Sequence, residues 1–410
     1  MDDHTDVAII GAGPAGSLAG ALLTKLGHRV VVLEKSQFPR FSIGESLLPQ
    51  CMSFIEEAGM LDAIAGERFQ EKNGAVFCCN GDRDSFDFRH KFTPGPSSTF
   101  QVQRGRFDQV LAECAVAQGV DVRFGQEITS VDITADQPTL VYIDSAGVEN
   151  RLQAKFLLDA SGFGRVLPRL LELETPSDFP RRRSLFTHIE DNITDSSYDR
   201  EKILIVVHPE HKDVWYWLIP FSDGRCSLGV VAEESYFEDM PKQGCADLLK
   251  YAVASSPDLS VLLSRAIFDR DVQGISGYSS NVSSLYGKNF ALLGNAGEFL
   301  DPVFSSGVTI AMKSASLVAP LVSRYLNNKS VDWEREYAAE LMVGVDTFRA
   351  YVNAWYDGSL QDIIFTGNGS PNIREMVCSI LAGYAWDTSN PFVQEPKRRL
   401  SALAKICATV

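Results

Sequence analysis

Residues 6–17, DVAIIGAGPAGS, decide the fold of this chain. A short apolar run leads into three glycines, and a small, apolar stretch of helical character continues to Leu26. Apolar runs of this length are typical of buried parallel strands. A second apolar run over residues 29–33 closes at Glu34. The segment therefore predicts a strand, helix and strand unit of an α/β sheet.

The spacing of the three glycines predicts a site for an adenine dinucleotide. Gly11 permits the tight turn, Gly13 lets the backbone approach a pyrophosphate, and Gly16 lets the helix pack close to the strand. The start of the helix offers free N–H groups and the positive end of its dipole to the phosphates. Glu34 is placed to accept hydrogen bonds from the adenosine ribose. The alternative is an apolar turn of the same shape that binds no ligand.

Composition and charge argue against nucleic-acid-binding, secreted and membrane-spanning proteins. The chain has 410 residues, of which 45% are apolar, and a net charge of −15. This charge argues against a nucleic-acid partner, because phosphates require a basic face. The acidic start and the lack of an uninterrupted apolar run of ~18 residues predict neither a secretory signal nor a membrane span. The eight cysteines show no zinc or redox spacing, so we expect reduced thiols, no metal site and a cytoplasmic protein.

The dinucleotide-binding domain is predicted to be discontinuous. Further helical or apolar stretches that fit the same sheet follow at residues 107–118, 120–123, 140–143, 156–158, 289–294 and 307–326. The last of these is predicted to be one long helix. The segments that we assign to this domain are 1–73, 103–183 and 276–330.

Two insertions and a helical end complete the expected architecture. Residues 74–102 and 184–275 alternate in a strand-like way with turn residues between the runs, and they predict a second, mixed β-sheet on the substrate side. Residues 331–410 are predicted to be mainly helical, with a break around residues 366–371.

A second cradle lies late in the chain and indicates FAD rather than NAD. Residues 294–297, GNAG, close a strand, and residues 301–307, DPVFSSG, open a helix. Backbone N–H groups at Ser306, Gly307 and Val308 form an anion-friendly helix start. Two cradles far apart in sequence suit the two ends of FAD, as in the flavin monooxygenase folds.

Arg104, directly ahead of a predicted helix, is a third candidate contact to the cofactor. The alternative is a surface arginine that pairs with Asp108 one turn further on. The spacing alone favours neither interpretation.

Four stretches resemble the flavin-dependent halogenases, a group within the aromatic flavin monooxygenases. Residues 38–49, FPRFSIGESLLP, are similar to the flavin strap of that family, and residues 72–75, KNGA, to the segment that holds its catalytic lysine. Residues 215–220, WYWLIP, match the family signature W-x-W-x-I-P, and residues 301–308 resemble the segment that binds the flavin ring and halide. The resemblance implies a Rossmann-like FAD-binding fold of the glutathione-reductase and aromatic-hydroxylase type.

The resemblance also implies the roles of individual residues. Lys72 is the catalytic lysine, and backbone N–H groups near Ser306 and Gly307 hold a halide ion. The passage from flavin to lysine is walled by Trp215, Trp217, Ile219, Pro220 and Phe304. The cofactor site, which includes the glycine turn, comprises Gly11, Gly13, Pro14, Ala15, Gly16, Glu34, Lys35, Arg40, Ile43, Gly44, Glu45, Ser46, Arg104, Gly294, Asn295, Pro302, Gly307 and Val308. The structural alternatives are a solvated surface lysine and two core tryptophans on one strand face.

In the chemistry of the family, FAD that a separate flavin reductase has reduced reacts with O₂ to give a C4a-hydroperoxide. A halide co-substrate attacks the distal oxygen, and the resulting hypohalous acid travels inside the protein to the lysine. The ammonium donates a hydrogen bond to the acid, or the amine forms a haloamine, and an electron-rich aromatic takes the halogen. The sequence holds no second glycine fingerprint for NAD(P)H, which implies a two-component oxidoreductase.

Two departures from the family pattern bear on the substrate. Asn295 stands where aspartate is usual, and it keeps a hydrogen bond to a ribityl hydroxyl but not the charge. Phe304 stands where tryptophan halogenases carry a glutamate, so free tryptophan is not the expected substrate. We expect a pyrrole, a phenol or an aryl-polyene-like compound, free or tethered to an acidic carrier protein. Residues 181–183, RRR, are a candidate carrier contact, and a solvated loop is the alternative.

The competing hypothesis is a halogenase-like flavin monooxygenase. Some relatives in this group hydroxylate or crosslink an aromatic small molecule or a side chain of a partner protein. That activity predicts an open cavity above the flavin, whereas halogenation predicts that Trp215 and Trp217 separate the flavin from Lys72.

Overall fold

The computed structural model describes residues 3–238, 240, 244–366 and 370–407. Its strands in chain order are β1 (Asp3–Ile10), β2 (Val30–Glu34), β3 (Gln70–Lys72), β4 (Gly74–Cys79), β5 (Asp82–Asp87), β6 (Thr99–Gln101), β7 (Asp121–Phe124), β8 (Glu127–Asp132), β9 (Thr139–Ile143), β10 (Glu149–Asp159), β11 (Glu174–Thr175), β12 (Arg182–Glu190), β13 (Lys202–Val207), β14 (Trp215–Pro220), β15 (Arg225–Glu233), β16 (Gln273–Ser276), β17 (Asn281–Val282), β18 (Tyr286–Gly287) and β19 (Phe290–Leu292). Its α-helices are α1 (Pro14–Lys25), α2 (Gln50–Glu57), α3 (Leu61–Gly66), α4 (Arg104–Ala117), α5 (Val166–Leu170), α6 (Glu234–Glu238), α7 (Cys245–Ala254), α8 (Pro257–Leu262), α9 (Ser306–Leu326), α10 (Glu340–Tyr356), α11 (Ser359–Thr366), α12 (Pro371–Leu381), α13 (Pro391–Gln394) and α14 (Pro396–Cys407).

The glycine turn lies at the edge of a sheet whose parallel strands follow the spatial order β19-β10-β1-β2-β7. Residues 7–10 of β1 pair with both β2 and β10, which explains why they are all apolar. β1 begins earlier than its apolar run predicts, because Asp3 already pairs with the long strand β10. The carboxyl ends of β1, β2 and β10 therefore meet at one edge, where open α/β sheets bind their ligands.

A second sheet faces this edge and has the order β16-β12-β15-β14-β13-β4-β5. It is antiparallel except for the parallel pair β13 and β4. The prediction for residues 74–102 extended this sheet too far, since the described residues 88–102 contribute no strand to it. Instead β6 pairs with β3 in a small separate ladder, which sets Lys72 opposite Thr99.

Helix α9 connects the first sheet to the helical end of the chain, because it packs against α1, α2 and α10. By length and composition alone α9 could cross a membrane, yet 61% of its most apolar stretch is buried inside the protein. This burial is typical of a core helix. The predicted break at residues 366–371 falls largely outside the described residues, which omit 367–369.

The α/β class with a mixed second sheet and a helical end is confirmed. The strand predicted at residues 289–294 is shorter, because Gly294 turns the chain at a φ of +52° and donates its N–H to the Ser314 hydroxyl at 3.0 Å. All eight cysteines are free. Among the described residues, no cluster of histidine, cysteine, aspartate or glutamate could hold a metal ion.

Candidate functional site

A cavity of about 600 Å³ extends from the glycine turn to the start of α9. Four segments line one side of it, namely the turn after β1, the end of β2, the strap at residues 40–46 and the start of α9. Residues of β12, β13, β14 and β15 form the facing wall. The volume falls within the range of about 300–1,000 Å³ that is usual for cofactor and substrate sites.

Close packing at the turn explains why two of its residues are glycines. Gly11 has a φ of +95°, and a Cβ there would lie 2.7 Å from the carbonyl oxygen of Ala160. A Cβ on Gly16 would lie 1.9 Å from the carbonyl oxygen of Gly11. Helix α1 begins at Pro14, and no side chain caps its first N–H groups. This open helix start beside Gly13 fits the pyrophosphate of a dinucleotide.

The Glu34 carboxylate is fixed in the cavity wall by backbone donors. It accepts hydrogen bonds from the N–H groups of Ala12 at 2.8 Å and Ser36 at 2.9 Å. Arg40 lies 3.7 Å from the same carboxylate and 3.2 Å from Asp108. A carboxylate has further lone pairs, so Glu34 can still accept the hydroxyls of a ribose.

Arg104 both lines the cavity and pairs with Asp108, so the structure contains a part of each interpretation that the sequence left open. It forms a two-pronged ion pair with Asp108, with N–O distances of 2.7 and 2.9 Å, and donates to the Ile43 carbonyl at 2.6 Å. It is buried rather than exposed, and it lines the cavity. Arg104 therefore holds the strap against α4 at the cofactor site.

The second cradle presents an unsatisfied polar atom to the cavity wall. Asn295 lines the cavity, and its buried Oδ1 has no hydrogen-bond partner among the described residues. A Cβ on Gly307 would lie 3.6 Å from this oxygen. Ser305 has a φ of +55° and turns the chain into α9, which begins at Ser306. The Asn295 oxygen is a buried hydrogen-bond acceptor, and the start of α9 offers free N–H groups beside it. Together they fit the polar middle of FAD, which has both donors and acceptors.

Lys72 is a buried residue and not a solvated surface lysine. Its side chain is 1% exposed, and its Nζ donates a hydrogen bond to the Leu47 carbonyl at 2.8 Å. The Nζ also lies 5.5 Å from the centre of the Phe88 ring. Burial lowers the pKa of Lys72 from 10.5 to about 7, and the neighbouring Cys51 opposes part of this effect. Near neutral pH the side chain is therefore shared between ammonium and amine.

Lys72 does not line the cavity, but a single layer of residues separates the two. Ser46 of the strap lines the cavity, and the next residue, Leu47, supplies the carbonyl that binds Lys72. Gly307 and Val308, at the start of α9, also line the cavity. The lysine thus lies behind the strap.

The two tryptophans of the signature line the cavity side by side on β14, with ring centres 5.9 Å apart. Trp217 donates its indole N–H to the Ser227 hydroxyl at 3.1 Å. A Cβ on Gly229 would lie 2.3 Å from the Trp217 ring, so this ring lies flat across the neighbouring strand. The indoles are wall residues of the cavity.

A buried hydrogen-bond chain fixes Trp215 from behind. Its indole N–H donates to the Tyr356 hydroxyl at 2.9 Å, and Tyr356 donates to the Asp301 carboxylate at 2.9 Å. Burial raises the pKa of Asp301 to about 6, although Arg182 acts against this. Arg182 stacks on the Tyr356 ring at 3.4 Å. The chain joins the second sheet, the cofactor loop and α10.

The basic patch predicted at residues 181–183 is wrong, and so is its alternative, a solvated loop. Arg182 begins strand β12 and is 5% exposed, because its guanidinium packs inside the protein. Arg181 is exposed but pairs with Glu234 at 3.1 Å. The three arginines therefore form no continuous basic surface.

Most of the predicted site residues meet at this cavity. The cofactor residues that line it are Gly11, Gly13, Pro14, Ala15, Glu34, Lys35, Arg40, Ile43, Gly44, Glu45, Ser46, Arg104, Asn295, Pro302, Gly307 and Val308. Trp215, Trp217 and Ile219 line it as well. The predicted residues outside its lining are Gly16, Lys72, Pro220, Gly294, Phe304 and Ser306. Phe304 packs instead in the aromatic core of α10, 6.2 and 6.0 Å from the rings of Tyr351 and Trp355.

Sequence reasoning missed several parts of the cavity wall, among them residues 126–128 and 161–164. Residues 161–164 follow β10, where Asp159 accepts two backbone N–H groups and so shapes the turn. A run of small residues after a predicted strand was the available signal. Ser184, Ser227 and Tyr278 come from the second sheet and its margin, and no local motif marks them.

A comparison with known families agrees with this geometry. A family model described as FAD binding domain matches residues 4–250. The chain belongs to this FAD-binding family. The dinucleotide that the glycine turn predicts is therefore FAD.

The relatives of this flavoprotein include halogenases. It is 27% identical to the 1H-pyrrole-2-carbonyl-[peptidyl-carrier protein] chlorinase of Pseudomonas fluorescens, over 98% of this chain and 94% of that protein. It is 29% identical to the corresponding brominase of Pseudoalteromonas luteoviolacea, over 93% and 92% of the two chains. A tryptophan 2-halogenase of Chondromyces crocatus is 31% identical over 78% of this chain, and the match spans 62% of that longer protein.

The similar solved structures include a flavoprotein and a flavin-dependent brominase. A flavoprotein/dehydrogenase from Cytophaga hutchinsonii is 42% identical, with a TM-score of 0.96 over 99% of both chains. The flavin-dependent brominase Bmp2 is 27% identical, with a TM-score of 0.84 over 99% of this chain and 100% of its own. The resemblance to flavin-dependent halogenases that the four sequence stretches predicted is confirmed.

Proposed function

We propose that this flavoprotein is an FADH₂- and O₂-dependent halogenase of an electron-rich aromatic compound. The observation that carries the proposal is Lys72, a buried lysine whose pKa is lowered to about 7 and which lies one residue layer behind the cofactor cavity. Reduced FAD, when bound, supplies the activated oxygen that converts a halide ion into hypohalous acid. Lys72 then holds the halogen for the substrate.

The protonation state of Lys72 suits this role. As an ammonium it can donate a hydrogen bond to hypohalous acid, and as an amine it can form a haloamine. The Leu47 carbonyl occupies one of its N–H groups and leaves the others for a ligand. Because Lys72 is buried, charge on a bound halogen species would be less screened there than at the surface.

The start of α9 is the proposed halide site. Gly307 lines the cavity beside the ring-binding Pro302, and the first N–H groups of α9 have no side-chain cap. An anion at this position is stabilised by the free N–H groups and by the helix dipole. Ser306 is buried behind this surface, so its contribution would be through the backbone.

We propose a pyrrole, phenol or aryl-polyene-like substrate, either free or tethered to a carrier protein. Support comes from the two relatives matched over most of their length, which by name act on a pyrrole carbonyl bound to a peptidyl carrier protein. Phe304 adds an apolar ring to the core behind the cofactor loop, where it offers no group for a free amino acid. We further propose a separate flavin reductase as electron donor and a cytoplasmic location.

A halogenation assay tests the proposal. Purified protein is supplied with FAD, a flavin reductase, NADH, O₂ and bromide or chloride, and a panel of phenols, pyrroles and carrier-bound pyrroles is analysed by mass spectrometry. We expect a halogenated product with the wild type and none with Lys72→Met, which should keep FAD binding and peroxide release. Lys313→Met is the matched control, because Lys313 is also largely shielded and has a lowered pKa but packs on Trp386. Halogenation by Lys72→Met at the wild-type rate would remove Lys72 from the proposal.

A second candidate function is hydroxylation of an aromatic substrate inside the cavity. Two observations favour it. Lys72 lies outside the lining, and the wall opposite the cofactor loop contains Trp217 and a Ser184 hydroxyl with no partner among the described residues. In the same assay this function predicts a product that gains one oxygen atom from ¹⁸O₂ and does not depend on halide.

A further inference from the structure

A buried polar strip joins the cavity to Lys72. Ser46 of the strap and Gln101 of β6 form an isolated antiparallel bridge, and the residues on either side of them make its backbone hydrogen bonds. The two side chains are therefore a non-hydrogen-bonded pair, which is the closest spacing in an antiparallel ladder. β6 begins at Thr99, the ladder partner of Lys72. Because alternate residues and direct partners share a face, all four side chains lie on one face of these strands.

The strip begins at the cavity and ends at the lysine. Ser46 lines the cavity, and all four members of the strip are buried. Thr99 donates a hydrogen bond to the Sδ of Met52 at 3.3 Å, and Lys72 donates to the Leu47 carbonyl. The hydroxyls and the amide of the strip thus run through the single layer of residues that separates the cavity from the lysine.

Two polar atoms of the strip have no hydrogen-bond partner among the described residues. They are the hydroxyl oxygen of Ser46 and the Oε1 of Gln101, and both atoms are buried. The Nε2 of Gln101 donates to the Arg200 carbonyl at 3.1 Å, so the unpartnered atom of this amide is the acceptor oxygen. Buried polar atoms are nearly always bonded, and ordered water is the usual partner where no protein group serves. The pair therefore requires a small molecule that carries an O–H group.

The chemistry of the two atoms favours an uncharged molecule. Water or hypohalous acid can accept a hydrogen bond from the Ser46 hydroxyl through its oxygen and donate its own O–H to the Gln101 Oε1. A halide or hypohalite ion has no proton to donate, and in this buried place it would meet the negative end of the amide dipole. Removal of such an anion from water without a partner is costly, so the pair binds the acid in preference to the anions.

We propose that Ser46 and Gln101 form a binding site for one small, uncharged O–H molecule, and that hypohalous acid crosses the strap to Lys72 through it. The crossing rests on the proposed function, which supplies the acid, whereas water can occupy the site without it. The family resemblance places the passage along Trp215 and Trp217. These indoles belong to the facing wall of the cavity, whereas Lys72 lies behind the strap, so the strap is the entrance to the lysine.

A high-resolution crystal structure of the oxidised, FAD-loaded protein tests the site without turnover. We expect one ordered water within hydrogen-bond distance of both the Ser46 hydroxyl and the Gln101 Oε1 in the wild type, and no such water in Gln101→Met. A direct hydrogen bond between the two side chains, or a contact of either atom with FAD, would overturn the site, because no group would then be left for a small molecule.

The crossing is tested by asking whether a scavenger in solution can intercept the halogen. The protein is supplied with FAD, a flavin reductase, NADH, O₂, bromide and a phenol, with and without excess thiodiglycol, a soluble thioether whose sulfur consumes hypobromous acid. In the wild type we expect thiodiglycol to have little effect on bromination of the phenol. Gln101→Met fills the site with an apolar side chain, so the acid should escape into solution, and thiodiglycol should suppress bromination several-fold.

Two matched controls accompany the variants. Gln118 also has a buried, unpartnered Oε1 and an Nε2 that donates to a backbone carbonyl, that of Ala58 at 3.1 Å, but it lies outside the cavity lining. Gln118→Met should therefore respond to thiodiglycol as the wild type does. Ser46→Ala is the second variant, in case Gln101→Met does not bind FAD, and it should also become sensitive to thiodiglycol. Its control is Ser256→Ala, which removes a buried, unpartnered hydroxyl elsewhere.

The outcomes separate this inference from the proposed function. If thiodiglycol suppresses bromination no more strongly in Gln101→Met and Ser46→Ala than in the wild type, the crossing is overturned while halogenation stands. If the wild type holds the ordered water but brominates no phenol, the binding site stands, and the proposed function falls together with the crossing.

Discussion

Replacement of Lys72 by methionine should stabilise the fold near neutral pH while it abolishes halogenation. Burial lowers the pKa of Lys72 from 10.5 to about 7 in the folded protein. Between these values the unfolded chain holds a proton that the folded protein does not, so the free energy of unfolding rises with pH across this window. The cost of burying the lysine is therefore fully present below about pH 7 and absent above about pH 10.5.

The magnitude follows from the same pKa. A depression of this size corresponds to roughly 5 kcal/mol of unfolding free energy at pH 7, since each pH unit is worth about 1.4 kcal/mol. Methionine fills the space of the lysine stem but leaves the Leu47 carbonyl without its donor, at a cost of about 1–3 kcal/mol. We therefore expect Lys72→Met to be about 2–4 kcal/mol more stable than the wild type near pH 7. Above pH 10 it should be equally or less stable.

Urea unfolding of the FAD-saturated proteins between pH 6 and pH 10.5 measures this difference. Lys155→Met is the control, because Lys155 is largely exposed and pairs with Asp6 at the surface, so its replacement should give no gain near pH 7. A Lys72→Met variant that is less stable than the wild type at pH 7, or a difference that stays constant over the whole range, would refute the description of Lys72 as a buried lysine that costs stability.

Three further substitutions test the site. Gly16→Ala sets a Cβ 1.9 Å from a backbone oxygen, so we expect a loss of at least about 1–3 kcal/mol and of bound FAD, read from the flavin absorbance of the purified protein. Gly229→Ala sets a Cβ 2.3 Å from the Trp217 ring, which should displace this wall residue and increase peroxide release per NADH consumed. Tyr356→Phe leaves the Trp215 indole N–H without its acceptor and removes one donor from the buried Asp301 carboxylate, and should lower the free energy of unfolding, measured with urea, by about 1–3 kcal/mol. Unchanged stability in this last variant would show that the hydrogen bonds of Tyr356 contribute little to the stability of the fold.

The parts of the fold that rest on local patterns could be predicted. The turn at residues 11–16, the strands on either side of it and helix α9 all follow from short-range spacing of glycine and apolar residues. The same holds for the tryptophans of β14, since alternate residues of a strand share a face. These features need no knowledge of distant residues.

The features that depend on distant partners could not be predicted. The burial of Lys72 is set by the Leu47 carbonyl and by packing against Phe88, and neither contact has a sequence pattern. Arg182 reads as part of a basic run, but Tyr356, far along the chain, supplies the ring on which it stacks. Long-range contacts of this kind decide burial and pKa, so charge runs and single lysines are poorly interpreted from sequence.

The central claim is that Lys72 carries the active halogen. It is tested most directly by measuring whether that halogen is bound to the protein or free in solution. FAD-loaded protein is reduced, mixed with O₂ and bromide, desalted rapidly, and then given a phenol. We expect the protein fraction to brominate the phenol, and the Lys72→Met variant to have lost this capacity. Bromination only by the small-molecule fraction, or equal bromination by both proteins, would contradict a role for the lysine.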